Sequence, residues 1–376
     1  MRKVKTIKIK PGFALFLKIF FSVLCVLLGL FVFYRKQISD LKKIGYSEEA
    51  SKNALFSKHK SFALSFGENK TLALAFENDN YVEEYLDNYA KIKYVNHEHL
   101  IDNINKLLKK GYSNSDINII LSHGTDKSVS EFAEKKKVRY LEEFYSLDYA
   151  KIENYDRYVQ YSDETGENEI DTVINVNLNL DKEDYTDAIE IKEFSPSMLV
   201  NKHRYLSKDF IPDSLVTIDS EYASSDDLKI SRLALNAFIE MYKAAKAEGY
   251  NLVINSAYRS YDDQVEIENT YRDLYGQSYV DKYVAKPGFS EHQTGLAFDI
   301  GSRNSRIFAD SKEYEWMINN AYKYGFVLRF DKRYENITGF RNEPWHFRYV
   351  GKEIAKYTFE HNNMSLEEYF VIFLDK

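Results

Sequence analysis

The stretch Ser290-Glu291-His292-Gln293-Thr294-Gly295-Leu296-Ala297-Phe298-Asp299 and a distant partner, Glu343-Pro344-Trp345-His346, hold the residues around which the rest of the chain is read. Between them they supply two imidazoles, His292 and His346, and the carboxylates Asp299 and Glu343. Zn²⁺ takes nitrogen and oxygen ligands in a tetrahedral set, and a catalytic zinc keeps one position open for water. Three ligands and one spare acid meet that need. A turn at Gly295 followed by a short strand, Leu296 to Ile300, would aim Asp299 back toward His292, because alternate side chains of a strand face alternate ways. Glu343 stands three residues before His346 on a segment interrupted by Pro344, which keeps the pair off a helix interior.

Composition weighs against reading every such residue as a ligand. The chain carries 58 acidic residues, so carboxylates fall near histidines by chance. His59, His97, His99, His123, His203 and His361 stand in no comparable setting and read as ordinary core or surface residues. His292 and His346 differ because the pattern Ser-x-His-x-x-Gly-x-Ala-x-Asp, followed by Glu-x-x-His, resembles the zinc D,D- and L,D-carboxypeptidases of the VanY type, within the group that also holds the D-Ala-D-Ala dipeptidases. Further stretches look like the same family in the same order: Leu199 to Lys202, Ser256 to Ser260, Tyr324 to Phe330 and Glu343 to Gly351. The resemblance runs from about Leu199 to Tyr357.

The resemblance implies a division of labour: His292, Asp299 and His346 hold zinc, and Glu343 serves as general base and then general acid. It also places Arg259 of the Tyr-Arg-Ser turn on the substrate's terminal carboxylate, which a planar guanidinium grips bidentately and a lysine cannot. Gln264 and Ser290 either add hydrogen bonds there or are each a cap or loop residue. Trp345 and Tyr258 read as cleft walls. The 31 Tyr and 25 Phe are spread along the chain and read as core and surface. The implied substrate is a peptidoglycan stem peptide. Two other classes stay open: a D-Ala-D-Ala dipeptidase or peptidoglycan endopeptidase of the same group, and a non-catalytic wall-binding protein with a relic fold. Retention of His292, Asp299, Glu343 and His346 weighs against a relic.

The remainder is read from its own residues. With 376 residues, the chain is long enough for two or so units. A formal charge of −7 argues against a nucleic-acid partner. The single cysteine, Cys25, excludes an internal disulfide framework and lies in an apolar run. That run, residues 12–34, is long enough to cross a membrane as a helix. The basic residues Arg2, Lys3, Lys5, Lys8 and Lys10 precede it, so residues 1–11 are expected as a cytoplasmic tail and everything after the anchor outside the cell. A cleaved signal is the competing reading. The apolar segment is longer than a signal core, and Tyr34-Arg35-Lys36-Gln37 offers no small-residue cleavage site.

Residues 35–194 are expected to be mainly helical, a spacer or binding region, with no proline between Pro11 and Pro196. Leu41-Lys42-Lys43-Ile44-Gly45-Tyr46-Ser47 is echoed by Leu108-Lys109-Lys110-Gly111-Tyr112-Ser113, each a helix end closed by Gly and restarted by a Ser cap. Asp116 extends the second copy to a near capping box. Strict alternation from Ile174 to Leu180 predicts a half-buried strand. Residues 195–376 form the expected zinc carboxypeptidase domain. Helices are predicted over 231–248, 261–274 and 313–324, and strands over 252–254, 326–330 and 346–350. A small antiparallel sheet flanked by helices makes this an α+β domain.

Overall fold

A computed structural model describes residues 11–135 and 138–375. The expected cytoplasmic tail, apart from Pro11, lies outside the described residues. Contacts group the chain into two compact units, Met1–Tyr145 and Ser146–Lys376, and residues 146–194 fall in the second.

The first unit is helical. Its opening helix, Pro11–Lys42, is the one helix among the described residues long and apolar enough to cross a membrane. Phe16, Phe20, Leu27 and Phe31 on it are all more than half exposed, an apolar surface that water does not favour. The helix continues past the predicted end at Tyr34 because its last turns become amphipathic, burying Ile38 and Leu41. Shorter helices follow. Both predicted restarts are present: Gly45 and Gly111 adopt positive φ (92° and 86°), and Ser47 and Ser113 cap the next helices. Asp116 completes a full capping box with Ser113.

The second unit pairs helices with a four-stranded sheet, beside two short two-stranded ones. The strands of the four-stranded sheet lie in the order Leu252–Ser256, Ala297–Ser302, His346–Tyr349, Phe326–Leu328, antiparallel throughout. The helix Arg232–Ala247 presents Ala234, Phe238 and Met241 to the core shared with Ile254, Phe298, Ile300 and Phe326. Its predicted limits hold to within a residue, because Gly249 in positive φ closes its end. The helix Tyr261–Tyr275 matches expectation, and the next predicted helix divides into Lys312–Asn320 and a 3₁₀ turn, Ala321–Tyr324.

One expectation is corrected. The segment predicted as a strand over 174–180 is instead the helix Glu169–Asn177. Asn168 accepts a hydrogen bond from the Asp171 amide at 3.0 Å, a helix-start signal that outweighs the alternation. Residues 174 and 178 also share a helical face, and Ile174 and Leu178 enter a second core with Leu199, Val350, Leu366 and Val371.

Candidate metal centre

Three pieces of backbone deliver the site. The strand Leu252–Ser256 carries a bulge between Ile254 and Ser256 that sets Ser256 opposite Asp299, and the chain then turns through Ala257 and Arg259. The 3₁₀ turn Glu291–Thr294, started by Ser290, presents His292. Gly295 ends that turn with φ +67°, and a Cβ there would lie 3.0 Å from the Leu215 side chain and 3.2 Å from the Ser231 amide nitrogen, so glycine is required. The strand Ala297–Ser302 then raises Asp299, whose register partner on the neighbouring strand is His346. Glu343 to His346 form a turn, with the His346 amide donating to the Glu343 carbonyl at 3.1 Å and Pro344 in the second position.

The side chains converge. Asp299 Oδ1 lies 3.4 Å from His292 Nε2 and 3.2 Å from His346 Nδ1, and Glu343 Oε2 lies 3.8 Å from the same His346 nitrogen. Each of the three donor residues is held from behind. His292 Nδ1 bonds the Ala257 carbonyl at 2.6 Å, His346 Nε2 contacts Glu291 Oε2 at 3.3 Å, and Asp299 Oδ2 accepts from Arg259 Nη2 at 2.9 Å. If those back-side nitrogens carry the imidazole protons, His292 Nε2 and His346 Nδ1 are left with lone pairs turned inward. Asp299 Oδ1 is then a buried oxygen with no hydrogen-bond donor. His292, Asp299 and His346 offer ligand atoms within 4.8 Å of one another, the one such group of at least three metal-binding side chains among the described residues. Two nitrogens and an oxygen suit a tetrahedral zinc with an open fourth position.

Electrostatics separate the roles. Burial pushes the Glu343 carboxyl up to about 7, against the pull of His346. Burial, with the Arg259 charge, brings His292 down to about 4. Burial also opposes charge on His346, but the carboxylates of Asp299 and Glu291 against its two ring nitrogens override it and carry the imidazole up to about 9. Without a metal, a proton therefore rests on His346 among the carboxylates, in the place a cation would take.

The donors line a cavity of about 450 Å³ whose walls also include Arg259, Gln264, Ser290, Glu343 and Trp345. The fold thus brings all seven sequence-predicted site residues to one cavity. Arg259 is committed in part: its Nε and Nη2 donate to Ser256 Oγ at 3.1 and 2.9 Å, besides the Asp299 bond. Gln264 donates to the Ala285 carbonyl at 2.8 Å, leaving its buried Oε1 without a donor. Ser290 accepts a long 3.4 Å bond from the His292 amide, the cap role that was one of its two readings. Tyr258, read from sequence as a wall, is not among the cavity's lining residues. Sequence reading also passed over Glu291, Arg329, Arg348 and Glu367, a buried charged cluster behind His346. Its ion-paired partners stand 38 or 57 positions apart, so no spacing announces them.

An α+β unit with two histidines and an aspartate facing one point, and a raised carboxyl beside them, has the make-up of a mononuclear metallohydrolase. The VanY family model, described as D-alanyl-D-alanine carboxypeptidase, matches residues 227–352. The bifunctional D-Ala-D-Ala dipeptidase and D-Ala-D-Ala carboxypeptidase VanXYC of Enterococcus gallinarum is 31% identical over 160 residues, 41% of this chain and 82% of that protein. YodJ of Bacillus subtilis is 43% identical over 180 residues, 46% of this chain and 66% of YodJ, just under two thirds of its length. A solved vancomycin-resistance D,D-pentapeptidase VanY, in complex with Zn(II), is 30% identical, with a TM-score of 0.42 over 46% of this chain and 98% of that one. The chain belongs to the VanY family of D-alanyl-D-alanine carboxypeptidases.

Proposed function

We propose that the chain is a zinc-dependent carboxypeptidase that removes the terminal D-alanine from peptidoglycan stem peptides, as a D-alanyl-D-alanine or L,D-carboxypeptidase. The observation that carries this reading is the convergence of His292 Nε2, His346 Nδ1 and Asp299 Oδ1 in a cavity that also holds Glu343 and Arg259. In this reading His292, Asp299 and His346 hold the zinc. Bound there, zinc would lower the pKa of a water toward about 7 and polarise the scissile carbonyl. Glu343 takes the proton of the attacking water on its carboxylate and passes it to the leaving amine nitrogen. A carboxyl raised to about 7 is matched to that exchange near neutral pH. Arg259 receives the terminal carboxylate while still bonded to Asp299, so one side chain both steadies a ligand and selects a chain end.

We further propose that the helix Pro11–Lys42 anchors the protein in the cell membrane as a single pass, with the N-terminus cytoplasmic and the enzyme outside. Its apolar surface and the basic residues before it support this reading. Proteinase added to intact spheroplasts should then remove a C-terminal epitope, and survival of that epitope would reverse the topology.

The activity is tested by mass spectrometry of stem peptides incubated with the zinc-loaded chain. Loss of one alanine residue from the C-terminus, abolished by a chelator, is expected. Release of the dipeptide D-Ala-D-Ala would make it a dipeptidase, an internal cut an endopeptidase, and no change of mass with zinc bound a wall-binding protein.

A further inference from the structure

Behind His346 lies a charged cluster that the proposed reaction does not touch. Glu291, Arg329, Arg348 and Glu367 are 3%, 3%, 0% and 0% exposed. Glu291 Oε1 accepts from Arg329 Nε at 2.8 Å and from Arg348 Nη1 at 3.1 Å. Arg329 turns its other two nitrogens onto both oxygens of Glu367, Nη1 to Oε2 at 2.9 Å. Arg348 Nη2 donates to the carbonyls of Pro196 and Met198 at 3.2 and 3.0 Å. What remains of Glu291 is Oε2, and that oxygen meets His346 Nε2 at 3.3 Å.

A buried ion cluster is no argument for stability, since desolvation offsets its attraction and apolar residues of the same volume often serve as well. Its specific product here is orientation. An imidazole can present either nitrogen to a metal, and the hydrogen bond made by the other decides which. We infer that Glu291 is a positioning residue that fixes His346 with Nε2–H toward itself and Nδ1 toward the metal, and that Glu367 keeps the cluster neutral so that a dication can bind beside two arginines. This rests on the zinc reading above.

The backbone gives the arrangement economy. One 3₁₀ turn, Glu291–Thr294, carries both His292 and the residue that backs His346, so the two imidazoles are set by adjacent residues. Arg329 precedes Phe330, whose ring packs 4.8 Å from the His346 ring, so the same segment supports the imidazole by packing and by charge. Glu367 enters from the short helix Leu366–Tyr369 near the C-terminus. With Glu367 neutralised, two guanidiniums face the single carboxylate Glu291, and the surplus positive charge opposes a cation in a poorly screened interior.

The test uses the full chain in detergent micelles. Zinc affinity is measured by competition with a chelating dye, and ¹⁵N shifts of the histidine side chains report which ring nitrogen binds zinc. In the wild type, His346 should coordinate through Nδ1 with a protonated Nε2 that exchanges slowly with water, and His292 through Nε2. Glu291→Gln, with an unchanged circular dichroism spectrum, should weaken zinc by about 10- to 100-fold. Glu367→Gln leaves the Glu291 contact in place and should weaken zinc by about tenfold, the lower end of that range. Coordination of His346 through Nε2 in the wild type, or wild-type zinc affinity in folded Glu291→Gln, overturns the positioning role. Wild-type affinity in Glu367→Gln overturns the neutralising role. Should Glu291→Gln fail to fold, the wild-type spectrum and Glu367→Gln still decide. A wild type that binds no zinc sinks the proposed function itself, which separates that failure from this one.

Discussion

Replacing the C-terminal carboxylate of a stem peptide with a carboxamide isolates what Arg259 contributes. The change removes one negative charge and leaves the peptide bond to be cut untouched. In a fully desolvated site, removing one partner of a hydrogen-bonded charge pair costs about 2–5 kcal/mol. Two structural facts place Arg259 at the low end. Its side chain is 23% exposed, so solvent screens part of the interaction, and its Nη2 already serves Asp299 at 2.9 Å, so the positive charge is shared. About 2 kcal/mol corresponds to about a thirtyfold loss of kcat/KM. The assay compares matched acid and amide peptides at one salt concentration, with released amino acid or amide quantified by mass spectrometry. Arg259→Lys should lose activity on the acid and most of the acid-over-amide preference, because an ammonium cannot hold Asp299 and a carboxylate together. Zinc content measured on that variant separates lost recognition from a loosened Asp299. Equal cleavage of acid and amide by the wild type would refute the reasoning and assign an endopeptidase.

Three further outcomes follow from particular residues. Glu343→Gln should keep its metal and lose turnover by about 10²- to 10⁴-fold; in the wild type the acid limb of the kcat/KM profile should fall at or below about 7, since Glu343 starts at about 7 and a bound cation draws it down. The metal-free protein should lose thermal stability between about pH 6.5 and 9. The folded state holds a proton on His346 up to about 9, against an ordinary value of 6.5, so this contribution is complete below 6.5 and gone above 9. Zinc, by replacing the proton, should remove the decline, and a flat unfolding midpoint in the metal-free protein would contradict the assignment. A fragment of residues 146–376 should fold and act alone, while one of residues 195–376 should be insoluble or unstable, because it lacks the Ile174 and Leu178 that cover Leu199, Val350 and Val371. Ile174→Ala in the full chain should cost about 2–5 kcal/mol of unfolding free energy, and an active, stable 195–376 fragment would contradict this and support the boundary read from sequence.

How much of this was legible depended on the range of the interactions. The site side chains were picked out by the family resemblance, whose motifs lie on short segments: a glycine turn, a strand that starts two residues later, and a Glu-Pro-Trp-His turn. The capped restarts at Ser47 and Ser113 were legible for the same reason. The segment 174–180 misled because Ile174, Val176, Leu178 and Leu180 satisfy a period of two, while the pairs Ile174/Leu178 and Val176/Leu180, each four apart, fit a helix as well; the Asn168 cap and burial against Leu199 and Val350 decide it. Arg329 and Arg348 fall on the predicted strands 326–330 and 346–350, where nothing in the neighbouring sequence names a partner. They are buried because Glu291 and Glu367 reach them from other parts of the chain, a pairing with no sequence period. The opening helix's extension to Lys42 escaped for a related reason, since Ile38 and Leu41 are buried only once the following helices exist to cover them.

The central claim is that His292, Asp299 and His346 hold one zinc and that Glu343 works beside it without ligating. Elemental analysis of purified His346→Ala and Glu343→Gln, against the wild type, tests this most directly. The account predicts about one zinc per chain in the wild type and in Glu343→Gln, and none retained by His346→Ala after dialysis, since a structure with one ligand of three removed holds the ion far more weakly. A folded Glu343→Gln protein without zinc, or a His346→Ala protein that keeps it, would contradict the assignment of ligands and base.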